Sequence, residues 1–253
     1  INMVRGGPGL GGIQPAQSDY FQATKGGGHG DYHMLVYGPN SVQECVDILY
    51  NAFDKADEYR IPVMILGDGM LGQIMEAVEL PEMKDIEKLP KKDWAATGSG
   101  VGENRRIVNS LYIEPDALEE LNYRQFEKYD LIASRETRYE EYLCDDAEIV
   151  LTAYGTVARI AKSAVNILRE QGIKAGLLRP ITLYPFPNEA FLKVANNPTV
   201  RRFVCSELSM GQMIEDVKLA IECKKPVDFF GRTGGNVMTP EDIVEFVKGE
   251  VKK

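Results

Sequence analysis

The residues best placed to do chemistry lie near the start of the chain. Arg5-Gly-Gly-Pro-Gly-Leu-Gly-Gly12 is followed by Lys25-Gly-Gly-Gly-His-Gly-Asp31, and residues 5–31 hold nine of the 24 glycines. Glycine orders at high entropic cost, so a folded chain concentrates it where turns are tight or where backbone approaches a ligand. A flexible surface loop is the alternative. Against it, Arg5, His29 and Asp31 are interleaved with the glycines, and the run follows a strand end, where α/β folds bind ligands. There is no Gly-Lys-Ser/Thr, so this is not a P-loop. Gly7-Pro-Gly-Leu-Gly-Gly12 also lacks the following helix and acidic partner of a dinucleotide fingerprint. Arg5 ends the strand and enters the loop, which would aim its guanidinium into a cleft. There it could hold a carboxylate through two parallel hydrogen bonds; a surface salt bridge is the other reading. His29 could stand near a ligand or hydrogen-bond the loop itself. His33 abuts a strand and reads as structural, Lys25 as solvent-facing, and Gln14, Gln17 and Asp19 as residues that order the loop.

The elements that must position these residues are α/β in character. Over residues 1–80 the pattern is β–loop–β–α–β. A strand at 1–5 precedes the glycines, and Ser18 caps a short helix through Thr24. A second strand at Met34–Tyr37 follows. Ser41 then opens a helix with Val42, Cys45, Val46, Leu49, Ala52, Phe53 and Ala56 at helical spacing, and Pro62–Leu66 is an apolar strand of the buried parallel kind. Residues 81–146 differ. They carry Pro81, Pro90 and Pro115, and read as an extended connection followed by a charged helix over 116–142. Residues 147–253 alternate regularly, with strands at 148–153, 174–178, 202–206 and 227–230. Thr156 and Thr239-Pro-Glu-Asp242 open helices, and a Pro-rich turn spans Arg179–Pro187. This is a second, parallel α/β domain.

Composition narrows the function classes. The chain has 253 residues, 44% hydrophobic and 26% charged, with a formal net charge of −9 and no Lys/Arg stripe, which argues against nucleic acid as a partner. No apolar run approaches the ~20 residues of a membrane span. A cytoplasmic location is expected. Cys45, Cys144, Cys205 and Cys223 form no Cys-x-x-Cys pair, so they read as reduced structural thiols rather than zinc or iron–sulfur ligands. The chain starts at Ile1 with a strand that needs neighbours, so an upstream portion is expected.

Four stretches together carry a family resemblance. They are Val4–Tyr20, Lys25–Asp31, Asp68-Gly-Met-Leu-Gly-Gln73 and Gly211-Gln-Met-Ile-Glu-Asp216. The chain resembles, over nearly its whole length, the α subunit of 2-oxoacid:ferredoxin oxidoreductases, most of all the 2-oxoisovalerate and 2-oxoglutarate members. The resemblance implies the C-terminal half of a thiamine diphosphate pyrimidine-binding domain over 1–80, a linker with a long helix over 81–146, and a transketolase C-terminal-like domain over 147–253. It implies thiamine diphosphate shared with a β subunit that carries the diphosphate/Mg²⁺ site and an iron–sulfur cluster, with small γ and δ subunits as further candidate partners. The implied reaction is oxidative decarboxylation of a 2-oxo acid with CoA to acyl-CoA, CO₂ and reduced ferredoxin. It further implies that about a hundred upstream residues hold the glutamate that activates the cofactor, so this chain by itself is expected to be inactive.

Within that resemblance Arg5, Gly6, Gly7 and His29 are the candidate substrate-binding residues, with Arg5 as the carboxylate anchor. Gly67-Asp-Gly69 mimics the start of the diphosphate/Mg²⁺ motif. That motif needs a later asparagine to complete the oxygen shell of a small octahedral cation. The window from about Lys92 to Gly100 has none and Asn104 comes too late, so Asp68 reads as a strand-ending turn. Glu207-Leu-Ser-Met-Gly-Gln-Met213 leads into a helix N-terminus that could receive an anion, and the turn Gly231–Gly235 could touch CoA or a partner; packing is the plainer reading of both. The rivals are a transketolase-like thiamine enzyme subunit and a non-catalytic assembly module.

Overall fold

A computed structural model describes residues 1–89, 91–96, 98 and 106–251; Pro90 and Asn104 lie outside the described residues. The opening pattern builds a sheet in the order β1-β3-β2-β7, with β1 (Asn2–Val4), β2 (Leu35–Tyr37) and β3 (Val63–Asp68) parallel and β7 (Thr182–Tyr184) antiparallel at its edge. Between β1 and β2 lies a short helix, α1 (Tyr20–Thr24). It starts later than the Ser18 cap implied, with Asp19 at the capping position and no side-chain cap bond. Helix α2 (Val42–Tyr59) begins as its sequence dictates, the Ser41 hydroxyl accepting the Glu44 N–H at 3.1 Å.

Two elements depart from the sequence reading. The charged helix α3 (Pro115–Glu136) starts with proline in its first turn but stops six residues early, and β4 (Tyr139–Tyr142) follows as an antiparallel edge strand. Tyr-Glu-Glu-Tyr shows no apolar alternation, because an edge strand can carry charge that deters further pairing. The Pro-rich segment likewise contains a strand, β7 (Thr182–Tyr184), antiparallel at the edge of the first sheet. Prolines 180 and 185 flank it, where an edge tolerates a missing N–H.

The second sheet runs β4-β6-β5-β8-β9, with β5 (Ile149–Thr152), β6 (Ala175–Pro180), β8 (Arg202–Glu207) and β9 (Val227–Gly231) parallel. Helices α4 (Gly155–Glu170) and α7 (Pro240–Val251) cover one face, burying Ala161, Val165 and Leu168 against Ile243 and Val247. Helices α5 (Asn188–Ala195) and α6 (Met213–Ala220) cover the other, where Phe191, Phe203 and Val217 join a core that continues through Val4, Tyr20, Val36 and Leu66 of the first sheet. The two sheets therefore share one apolar interior.

Ion pairs fasten the periphery of this interior. Arg179, 3% exposed at the end of β6, donates to Glu140 at 3.1 Å and to Glu44, joining α2 to the second sheet. Burial pushes the Glu140 carboxyl up, but hydrogen bonds from Lys162 and Arg179 outweigh it and leave the group below the usual carboxylate range. Glu136 at the end of α3 is also buried, 2.7 Å from Lys55 and accepting from the Tyr59 hydroxyl at 2.6 Å. Its carboxyl too is raised by burial and, more strongly, lowered by these partners to below 4.5. A depressed folded value stabilises above the ordinary range and is lost as pH falls through it. Glu136→Gln is therefore expected to lower the unfolding free energy by about 2 kcal/mol at neutral pH. Urea titrations should show the gap to the parent narrowing as pH drops through the acid limb; a gap independent of pH would contradict the ionised pairing.

Candidate functional site

The glycine loop is a closed lobe. The backbone of Arg5 bridges to Pro15, Gly6 N–H donates to Gln14 at 2.8 Å, and Gly12 N–H donates to Gly6 at 3.0 Å. Glycine is required at Gly11, where φ is +53° and a β-carbon would stand 1.9 Å from the Gly6 carbonyl oxygen. Gly6 faces the Gly234–Gly235 backbone of the second sheet's last turn, so the lobe packs backbone against backbone. At Gly6 and Gly11, glycine thus serves close approach of backbone to backbone.

Arg5 leaves this lobe at the end of β1. Its Nη1 donates to the Gly12 carbonyl at 3.2 Å and to that of Leu10. Both bonds leave from Nη1, so among the described residues Nε and Nη2 stay available. Arg5, Gly6 and Gly7 line a cleft of about 600 Å³, together with Asn2, Ser18 and Asp19. The opposite wall comes from far along the chain, as Met210, Gln212 and Thr233. The volume lies within the usual range for small-molecule sites. His29, the fourth candidate, is exposed in the 25–31 stretch and is not part of this lining. Met210, Gln212 and Thr233 were legible only as members of the two later turn motifs; nothing in their spacing ties them to Arg5.

Hydrogen bonds across the two sheets hold the walls together. Gln17 is buried and spans the gap, its Oε1 accepting the Leu208 N–H at 2.9 Å and its Nε2 donating to Tyr154 at 3.0 Å. Gln212 of the far wall accepts the Phe21 N–H at 2.8 Å and donates to Ser18 at 2.7 Å. Tyr20 donates to Asp216 on α6 at 2.6 Å. Burial first, and then the Asp216 charge, push the Tyr20 hydroxyl well above its usual range. Lys25 pairs with the same Asp216 and so does not simply face solvent. His33 takes a structural place, stacked on Tyr184 with ring centroids 4.1 Å apart, and burial lowers its pKa.

Two acidic residues that resembled ligand sites are occupied by the fold. Asp68 is fully buried; Oδ1 accepts the Met70 and Leu71 N–H groups and Oδ2 accepts that of Thr156 at 3.3 Å. It thereby serves α4, whose cap Thr156 does not provide; Tyr154 stands at the capping position instead. Glu207 is likewise buried at the end of β8. Oε2 accepts from Gln212 N–H at 3.0 Å, Met213 N–H at 3.1 Å and the Ser209 hydroxyl at 2.9 Å, while Oε1 accepts from Ile214 N–H at 3.0 Å. The N-terminus of α6 is filled by this carboxylate, so it is not open to an outside anion, in line with the plainer, packing reading of this stretch. Burial and the Glu207 charge also push the adjacent Cys205 thiol well up, making it inert. Among the described residues no three His, Cys, Asp or Glu side chains are grouped closely enough to hold a metal ion.

Comparison with known proteins fits this architecture. Residues 1–141 match the family described as pyruvate flavodoxin/ferredoxin oxidoreductase, thiamine diphosphate-binding, and residues 147–243 match pyruvate:ferredoxin oxidoreductase core domain II. The chain is 47% identical over 248 residues to ketoisovalerate oxidoreductase subunit VorB of Methanothermobacter marburgensis, covering 98% of this chain and 69% of that one. It is 33% identical to 2-oxoglutarate synthase subunit KorA of Methanothermobacter thermautotrophicus, with 98% and 72% covered. A solved structure shares the fold at TM-score 0.77 and 21% identity, covering 98% of this chain and 48% of that chain. That structure is the 2-oxoglutarate:ferredoxin oxidoreductase of Magnetococcus marinus with 2-oxoglutarate, coenzyme A and succinyl-CoA bound.

Proposed function

We propose, from the premise that this chain belongs to the 2-oxoacid:ferredoxin oxidoreductase family, that its Arg5 cleft is one wall of a shared active site for oxidative decarboxylation of a 2-oxo acid. The chain is a subunit of such an oxidoreductase and carries a thiamine diphosphate-binding family domain. The proposed overall reaction takes one 2-oxo acid, one CoA thiol and two oxidised ferredoxins. It gives acyl-CoA, CO₂, two reduced ferredoxins and one proton. 2-Oxoisovalerate is the proposed acid, supported by the higher identity to VorB than to KorA.

The observation that carries this reading is the placement of Arg5. One guanidinium, with donors to spare, stands at a strand end in a cleft floored by glycine backbone. That geometry suits a carboxylate beside a reacting ketone. Gly6 and Gly7 keep side chains out of the space beside it. The donor set also suits the ring end of thiamine diphosphate, for which the cleft offers backbone, the Asn2 and Gln212 amides and the Asp19 carboxylate. It does not suit the diphosphate, since Arg5 is the only cation in the described lining and Asp68 is consumed by backbone N–H groups. We therefore place the diphosphate, Mg²⁺ and the iron–sulfur cluster on a β subunit. Thiamine diphosphate, when bound, supplies the electron sink for loss of CO₂. The share of this chain is to orient the acid through Arg5, to exclude side chains through Gly6 and Gly7, and to close the far wall through Gln212 and Thr233.

Co-expression with the partner subunits tests the reading. Reduction of ferredoxin or viologen should depend on both CoA and a 2-oxo acid, with 2-oxoisovalerate preferred to 2-oxoglutarate. No reduction with any 2-oxo acid, from an enzyme with its cofactors loaded, would sink it.

A further inference from the structure

The cleft holds two opposite charges that do not neutralise one another. Arg5 and Asp19 both line it, yet among the described residues neither appears in an ion pair. Asp19 is half-buried, and the contact recorded for its carboxylate is the Asn2 amide at 3.3 Å. It also stands at the capping position of α1 without capping it. Aspartate is among the strongest residues at that position because its side chain ordinarily accepts an N–H of the first turn. Here the carboxylate forgoes that bond and belongs to the cleft instead. Asp68, Glu207 and Asp216 are, in contrast, fully engaged by backbone or side-chain donors.

We propose that Asp19 is the counter-charge for the cationic thiazolium ring of thiamine diphosphate, as Arg5 is for the anionic substrate. The proposal rests on the shared-site reading and gives the one carboxylate of the described lining a specific role. A partly desolvated carboxylate attracts a cation far more strongly than one in bulk water. Because Asp19 and Arg5 form no ion pair among the described residues, each charge in the cleft is left for a ligand group of opposite sign. The Asn2 amide donates to Oδ2 at 3.3 Å, and among the described residues Oδ1 has no hydrogen-bond donor.

The test is a binding measurement, independent of turnover. Calorimetric titration of the assembled, cofactor-free enzyme with Mg²⁺ and thiamine diphosphate should give a Kd about tenfold higher for Asp19→Asn than for the parent. The thiophene isostere of the cofactor, which has the same shape and diphosphate but no ring charge, should lose less than about twofold. Asp19→Glu, which keeps the charge, should restore most of the preference for the charged ring. Equal weakening of both ligands, or weakening of neither, would overturn the proposal. Failure of the underlying reading is distinguishable: it would appear as an unchanged KM for the 2-oxo acid in Arg5→Ala, whatever Asp19→Asn does to cofactor binding.

Discussion

Arg5→Ala is expected to raise the KM for the 2-oxo acid about 100-fold in the assembled enzyme, with kcat changed by no more than several-fold. The reasoning runs from the loop outward. The guanidinium has five donors in a planar fork. Two hydrogen bonds from Nη1 to the Leu10 and Gly12 carbonyls fix its orientation at the end of β1. The remaining edge can then meet a carboxylate without losing further side-chain freedom. A charge-assisted pair of this kind contributes about 2–3 kcal/mol, and 100-fold in affinity is about 2.7 kcal/mol. The carboxylate is held on binding and leaves as neutral CO₂, so the pair contributes to holding the substrate more than to the barrier for losing CO₂, and the loss falls on KM rather than kcat. Arg5→Lys should recover only a small part. A lysine is a point charge that cannot hold the loop carbonyls and also present a parallel pair of donors. Added salt should raise the parent KM, since Arg5 is exposed and its field is screened. Initial rates of viologen reduction against 2-oxo acid concentration measure all three, and an unchanged KM for Arg5→Ala would remove its assigned role.

The parts of the molecule that were legible in the sequence are those that depend on neighbours along the chain. The apolar runs at β3, β5, β6 and β8 announce buried parallel strands, and Ser41 announces the start of α2. The glycine lobe is legible because a position such as Gly11 admits no other residue. The edge strands β4 and β7 were not legible, since an edge needs neither apolar alternation nor freedom from proline. Nor were the polar bonds that join the sheets. Gln17 meets Leu208 across 191 positions and Asp68 meets Thr156 across 88, and no local pattern encodes such a pairing. The same limit applies to the site. Arg5, Gly6 and Gly7, adjacent in the chain, line one cleft, His29 lies outside that lining, and no spacing ties Met210, Gln212 and Thr233 to Arg5. The two mistaken caps, Ser18 and Thr156, share one cause: tertiary carboxylates or none at all serve those helix starts.

A carboxylate nearer in the chain, Glu207, serves the start of α6, and its replacement is expected to have a large effect on stability. Its carboxylate satisfies three N–H groups at the start of α6 and one hydroxyl; Glu207 and Met213 are 0% exposed and Ile214 8%, while Gln212 is half-buried. Glu207→Ala would strand those donors. Each buried unpaired group costs about 1–3 kcal/mol, and partial entry of water recovers some of it, so a net loss of about 4 kcal/mol is expected. Removing a negative charge from a helix N-terminus adds to the loss. Glu207→Gln should cost about half as much, because one oxygen can still accept while the amide N–H₂ opposes the remaining donor. The effect should also travel. Helix α6 carries Asp216, and Gln212 immediately precedes it; these hold Tyr20, Phe21 and Ser18, and so position the segment that bears Asp19. Denaturant unfolding should register the loss, and hydrogen exchange should register faster opening at residues 17–24 than in α4, whose start depends on Asp68 instead. If Glu207→Ala unfolds within about 1 kcal/mol of the parent, the buried Met213 and Ile214 N–H groups must find other acceptors. The capping account of the second domain's edge of the cleft would then be wrong.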